Sequence, residues 1–140
     1  MRQVCRILAL AVLLTAPAAA SAGELVLRFP GLQPRGQLVV AVFASEADWK
    51  ARARPIRQAI RPVEGGPAEV RFDGLPAGAY AVMAYHDRNA NGRMDTLPVG
   101  LPTEPYGFSA DARGAFGPPA WSRAKLDLGV KPAVETLRLR

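Results

Sequence analysis

The chain has 140 residues, a formal net charge of +6, one cysteine and one histidine. That length allows one domain with a real core and no more. A lone cysteine excludes a disulfide framework or a cysteine-built metal site, and one histidine makes no zinc site without several carboxylates.

Residues 1–22 read as a cleavable secretory signal. Arg2 and Arg6 precede the apolar run Ile7–Ala16, and the small residues Ala20-Ser21-Ala22 set the expected cleavage before Gly23. The run is shorter than the roughly 20 residues a membrane-spanning helix needs. Localisation is therefore expected to be periplasmic or secreted, with no transmembrane segment after cleavage. Residues 23–140 form the expected domain. Cys5 leaves with the signal, and 16 basic against 12 acidic residues remain, a net +4.

Period-two patterns dominate that domain. "ELVLRF" (24–29), "GQLVVAVFA" (36–44) and "AEVRF" (68–72) alternate or run apolar as strands do. "SEADWKARA" (45–53) is the one helical segment: Ser45 suits an N-cap, Glu46 and Asp48 suit the first turn, and Pro55 is the expected stop. Residues 56–60 are a weaker strand. "GAYAVMAYH" (78–86) is apolar on both faces, as a central strand should be. Gly78 is expected at positive φ, launching a strand whose Tyr80 ring is buried with its hydroxyl bonded to a nearby turn. Two more strands fall at 124–130 and 134–140. The expectation is an all-β fold, a single β-sandwich of about seven antiparallel strands.

Residues 87–120, rich in proline and glycine, form a connection too long to be a routine loop. Tyr106, Phe108, Phe116 and Trp121 are costly to leave in water, so an ordered excursion packed on the sandwich is expected.

Within it, "HDRNANGRMD" (86–95) places oxygen-bearing side chains on alternate residues. Counted from Asp87, positions one, three and five are Asp87, Asn89 and Asn91, Gly92 stands at six, and Asp95 at nine. Calcium takes six to eight oxygen ligands, and Arg93 at position seven would add its backbone carbonyl. Position twelve is Pro98 where an EF-hand needs glutamate, and a strand leads in, so this is no EF-hand. Glu104 is the nearest further carboxylate. The competing reading is a turn held by its own Asx hydrogen bonds, with Asn91-Gly92 as the favoured turn pair. Calcium remains a candidate cofactor on the first reading and is absent on the second.

The stretch 72–95, "FDGLPAGAYAVMAYHDRNANGRMD", followed by "VGLPTEPYGFS" (99–109) and "GPPAWSRAKLDL" (117–128), resembles a family of small exported bacterial proteins classed as a domain of unknown function. The likeness spans roughly residues 36–130. It implies a transthyretin-like or Cna-B-like sandwich and no established activity.

Other chemistry is thinner. His86 beside Asp87 suggests a hydrolase acting with loop carboxylates or with Ser109, yet a strand sends neighbouring side chains to opposite faces. "KARARPIRQAIR" (50–61) carries five basic residues suited to an anionic partner. No aromatic interleaves them to stack on bases, so nucleic acid is not expected. The reading is a non-catalytic module of a bacterial envelope, expected as a monomer, whose partner is a protein, a glycan or an anionic envelope component. The alternative is the His86 hydrolase.

Overall fold

Alternation decides which side chains of each strand enter the core. In the computed structural model, which describes residues 22–140, Leu25, Leu27 and Phe29 of β1 (Ala22–Leu32) point inward. They meet Val40 and Val42 of β2 (Gln37–Phe43), Val70 and Phe72 of β4 (Gly66–Pro76), and Val82 and Ala84 of β5 (Gly78–Asp87). The remaining strands are β3 (Arg57–Pro62), β6 (Tyr106–Phe108), β7 (Leu126–Leu128) and β8 (Ala133–Thr136). They form two sheets packed face to face. One runs β4-β1-β8; the other runs β3-β2-β5-β6, with β7 also paired to β5.

This is the expected all-β sandwich, with eight strands among the described residues. One pairing departs from the antiparallel rule: β8 lies parallel to β1, Leu25 opposite Ala133 and Arg28 opposite Thr136. The chain then continues across the sandwich edge. The Leu137 N–H donates to the Arg28 carbonyl, and Tyr106 and Arg140 exchange both backbone hydrogen bonds at 2.9 and 3.0 Å. Residues 137–140 thus link the two sheets, which explains why their alternation read as strand.

The odd-numbered residues of β2 and β5 face away from the main core. At one end of that outer face Phe43 pairs with Ala81, and Trp49 covers them. Trp49 belongs to α1 (Glu46–Ala51), which Ser45 caps by accepting from the Asp48 N–H at 3.2 Å. The helix stops before Pro55 is reached, because Arg52 turns left-handed at φ 51° and its N–H bonds back to the Asp48 and Trp49 carbonyls. The Trp49 indole donates to the Pro119 carbonyl at 2.8 Å and meets Phe43, Phe108 and Trp121 edge-on.

The excursion is therefore pinned to the sandwich, as its aromatics suggested, with one correction: Phe116 is 99% exposed. Three further short elements lie between residues 106 and 124: β6, a 3-10 turn (Ser109–Asp111) and the single turn α2 (Trp121–Ala124), all too short to carry a periodic signal. Gly78 does not take positive φ; that conformation falls on Gly74. Tyr80 behaves as expected, buried with its hydroxyl donating to the Pro76 carbonyl at 2.6 Å. The reading of residues 1–22 as a signal lies outside the described residues except for Ala22, which opens β1 opposite Pro76.

Candidate functional site

Strand parity at the end of β5 separates the two residues that open the loop. His86 faces the core, and its Nε2 lies 2.8 Å from the Arg35 carbonyl. A carbonyl only accepts, so Nε2 carries the proton. Asp87 faces the other way and is fully buried. Its Oδ2 accepts from the Gln37 amide and from the Gly92 N–H, both at 2.8 Å, and its Oδ1 accepts from the Asn91 N–H at 3.1 Å. Burial alone would raise the Asp87 pKa. The Gln37 amide and the N–H groups of Gly92, Asn91 and Ala90 outweigh it and hold the carboxyl below the usual carboxylate value.

The rest of the loop closes on itself in the same manner. Asn89 and Asn91 each donate an amide hydrogen to Asp95, at 2.6 and 2.9 Å. Their own oxygens accept from the N–H groups of Asn91 and Arg93 at 3.1 and 2.9 Å, the Asx-turn geometry. Gly92 takes φ 78° in this bend, a conformation that costs glycine little. Glu104, buried, accepts from the Arg88 N–H at 2.7 Å through one oxygen and from the Asp95 N–H at 3.1 Å through the other. It staples the entry of the loop to its middle.

All six carboxylate oxygens of Asp87, Asp95 and Glu104 thus face an N–H. The sequence-chosen residues do come together, but around hydrogens. No group of three or more His, Cys, Asp or Glu among the described residues is disposed to hold a metal ion. Arg93 enters the network through its N–H, with its side chain exposed.

The other candidates lie elsewhere. Ser109 is fully buried; its hydroxyl accepts from the Val82 N–H at 2.8 Å and donates to the Ala124 carbonyl, tying β5 to α2. It shares no hydrogen bond with His86. In the basic run, Lys50 pairs with Glu46 and Arg54 with Asp48, while Arg57 and Arg61 fold onto the carbonyls beside them.

Three residues escaped the sequence reading. Gln37 matters because β2 stands opposite Asp87 in register, which the sequence does not print. Tyr85 lies near the loop: partial burial first, then the charges of Asp87, Glu104 and Asp95, raise its phenol pKa. Arg35 takes φ 116°, unusual for a residue with a side chain. It is held by its N–H to the Val63 carbonyl at 3.0 Å and by His86 on its own carbonyl. Next to it Gly36 is confined, since a Cβ there would strike the Asp87 carbonyl and the Arg88 backbone. Arg35 and Arg88, with Gln33 and Pro34, line an open concavity of 410 Å³.

Fold and loop together define an all-β sandwich that carries a buried-aspartate, Asx-bonded loop at the end of its larger sheet. The model of a family described as an uncharacterized protein conserved in bacteria, DUF2141, matches residues 31–135, and the chain belongs to that family. Neither the curated proteins nor the solved structures contain a match to the chain.

Proposed function

We propose that the domain is a non-catalytic module of the bacterial envelope whose sandwich holds a preorganised loop, residues 88–105, as a binding surface. The observation that carries this reading is the pairing of all six loop carboxylate oxygens with N–H donors. A loop so bonded is rigid before it meets anything, and rigidity of that kind lowers the entropic cost of binding. What supports the absence of catalysis is that His86 and Ser109 are buried and bonded to the scaffold. A base and a nucleophile need reach to a substrate and to each other. Export is supported by the signal-like residues 1–22. The transthyretin-like or Cna-B-like assignment belongs to this proposal, supported by the three- and five-stranded sheets.

Calcium fits the loop poorly as bonded. Asp87, Asn89, Asn91, Asp95, Glu104 and the Arg93 carbonyl would hold an ion only after both asparagine amides turned their oxygens inward and the N–H groups gave way. Affinity therefore belongs in the weak extracellular range or below, about 10⁻⁴–10⁻³ M. Thermal unfolding under calcium titration tests this: no shift is expected at micromolar ion, and a rise of several degrees there would overturn the self-bonded loop. Fractionation of the source bacterium tests the placement, with a processed protein beginning at Gly23 expected outside the inner membrane.

A further inference from the structure

We infer that the loop end of the sandwich docks on an anionic lipid surface, the tip of the loop entering the bilayer interface and Arg35 and Arg88 taking headgroup phosphates. This rests on the envelope placement proposed above.

The tip is the first observation. Beyond the Glu104 staple the loop becomes a small hairpin: the Thr103 N–H donates to the Asp95 carbonyl at 2.9 Å, and Thr96 bridges Pro102. The Leu97 and Leu101 ends close at 2.8 Å, and the Gly100 N–H returns to Leu97 at 2.8 Å. Every residue from Thr96 to Thr103 is exposed, so the hairpin stands clear of the sandwich. At its end Leu97, Val99 and Leu101 are 49%, 77% and 50% exposed. Scattered apolar residues are ordinary on a surface, but three on one rigid turn mark a contact.

Charge is the second observation. Arg35, Arg88 and Arg93 lie at the loop end, are exposed and make no ion pair among the described residues. Asp87, Asp95 and Glu104 match them in number, but Asp87 and Glu104 are buried and Asp95 is half-buried with both oxygens bonded to asparagine amides, so the charged groups that reach the surface of the loop are the arginines. Glu64, exposed on the β3–β4 turn, pairs with none of the three arginines. Arg35 also occupies a backbone conformation that glycine would hold at lower cost. Its side chain shares the open concavity with Arg88.

Reach joins the two. From the rung at Glu104, which holds Arg88, to Leu101 is three residues, about 10 Å of extended chain. Interfacial segments bury their apolar side chains about 5–10 Å into the headgroup and acyl boundary. With the tip at that boundary the arginines stand at phosphate depth. A convex apolar point with basic flanks suits a fluid interface better than a protein groove, which would have to accept both.

Flotation of the full chain with vesicles of phosphatidylglycerol and phosphatidylethanolamine, against phosphatidylcholine alone, tests the inference. Binding to the first and not the second is expected, weakening as salt rises. The L97S/V99S/L101S variant should lose about 100-fold in partitioning, from the apolar area it no longer buries. R35G/R88Q should lose about 25-fold, at about 5-fold per arginine, with its melting temperature unchanged or raised. The inference falls if wild type does not float, if phosphatidylcholine serves equally, or if either variant binds as wild type does. It falls too if binding is lost only on neutralising Arg52, Arg57 and Arg61. Tip-dependent crosslinking to one envelope protein without flotation would replace it by a protein interface. Vesicle binding is independent of the fractionation test, so either reading can fail alone.

Discussion

Replacing Asp87 by alanine tests the loop at its root. The substitution removes three hydrogen bonds to a buried carboxylate, from the Gln37 amide and the N–H groups of Asn91 and Gly92. Bonds to a charged group contribute about 1.5–3 kcal/mol each, but stranded donors cost less where water reaches them. Asn91 and Gly92 are exposed and Gln37 is half-buried, so the discount applies to all three. About 1 kcal/mol per bond gives a loss of about 3 kcal/mol. For a domain near 120 residues that lowers the melting temperature by about 10 °C. Thermal unfolding followed by circular dichroism reads the shift, and hydrogen exchange should show the Asn91 and Gly92 amides losing protection. Asp87→Asn, which keeps one acceptor oxygen, should lose about half as much. A fall below about 3 °C in the alanine variant would mean that the loop does not depend on this carboxylate.

Two further outcomes follow from the same geometry. Asp87 has its pKa lowered in the folded state, so its contribution to stability is present above the unfolded value near 3.9 and is lost as pH falls through the folded one. The stability gap between wild type and Asp87→Asn should therefore narrow below about pH 4 in acid denaturation curves, and a constant gap would refute the assignment. Trp49→Ala should cost about 3–5 kcal/mol, because the ring anchors the excursion to the outer sheet face and its cavity cannot collapse. Chemical denaturation measures that loss; less than about 1 kcal/mol would show the excursion to be held by other contacts.

Much of the sandwich was legible because alternation is a local signal. Val70 and Phe72 against Glu69 and Arg71 declared their faces without knowledge of any partner, and the two-faced apolar run of β5 declared a central strand. The Asx loop was legible too, since Asp87, Asn89 and Asn91 act within a few residues of one another. What escaped was non-local. Gln37 reaches Asp87 only through the β2–β5 register, and Arg35 is strained only because His86 and Val63 hold it there. Glu104 was singled out as a carboxylate of the loop, but its bonds to the Arg88 and Asp95 N–H groups depend on the fold and are not printed in the sequence. Phe116 was expected to pack because large rings usually do, and it stands in solvent.

The parallel pairing of β8 with β1 has a consequence for folding. Until residues 133–140 arrive, Leu25 to Arg28 present a four-residue row of unpaired backbone groups along a largely apolar strand, and the two sheets lack their edge seam. Exposed rows of that kind recruit strands from other chains. A chain cut before Ala133 would thus be prone to self-association rather than merely less stable, and the pairing joins residues more than a hundred apart in sequence, a non-local contact of the kind that slows folding.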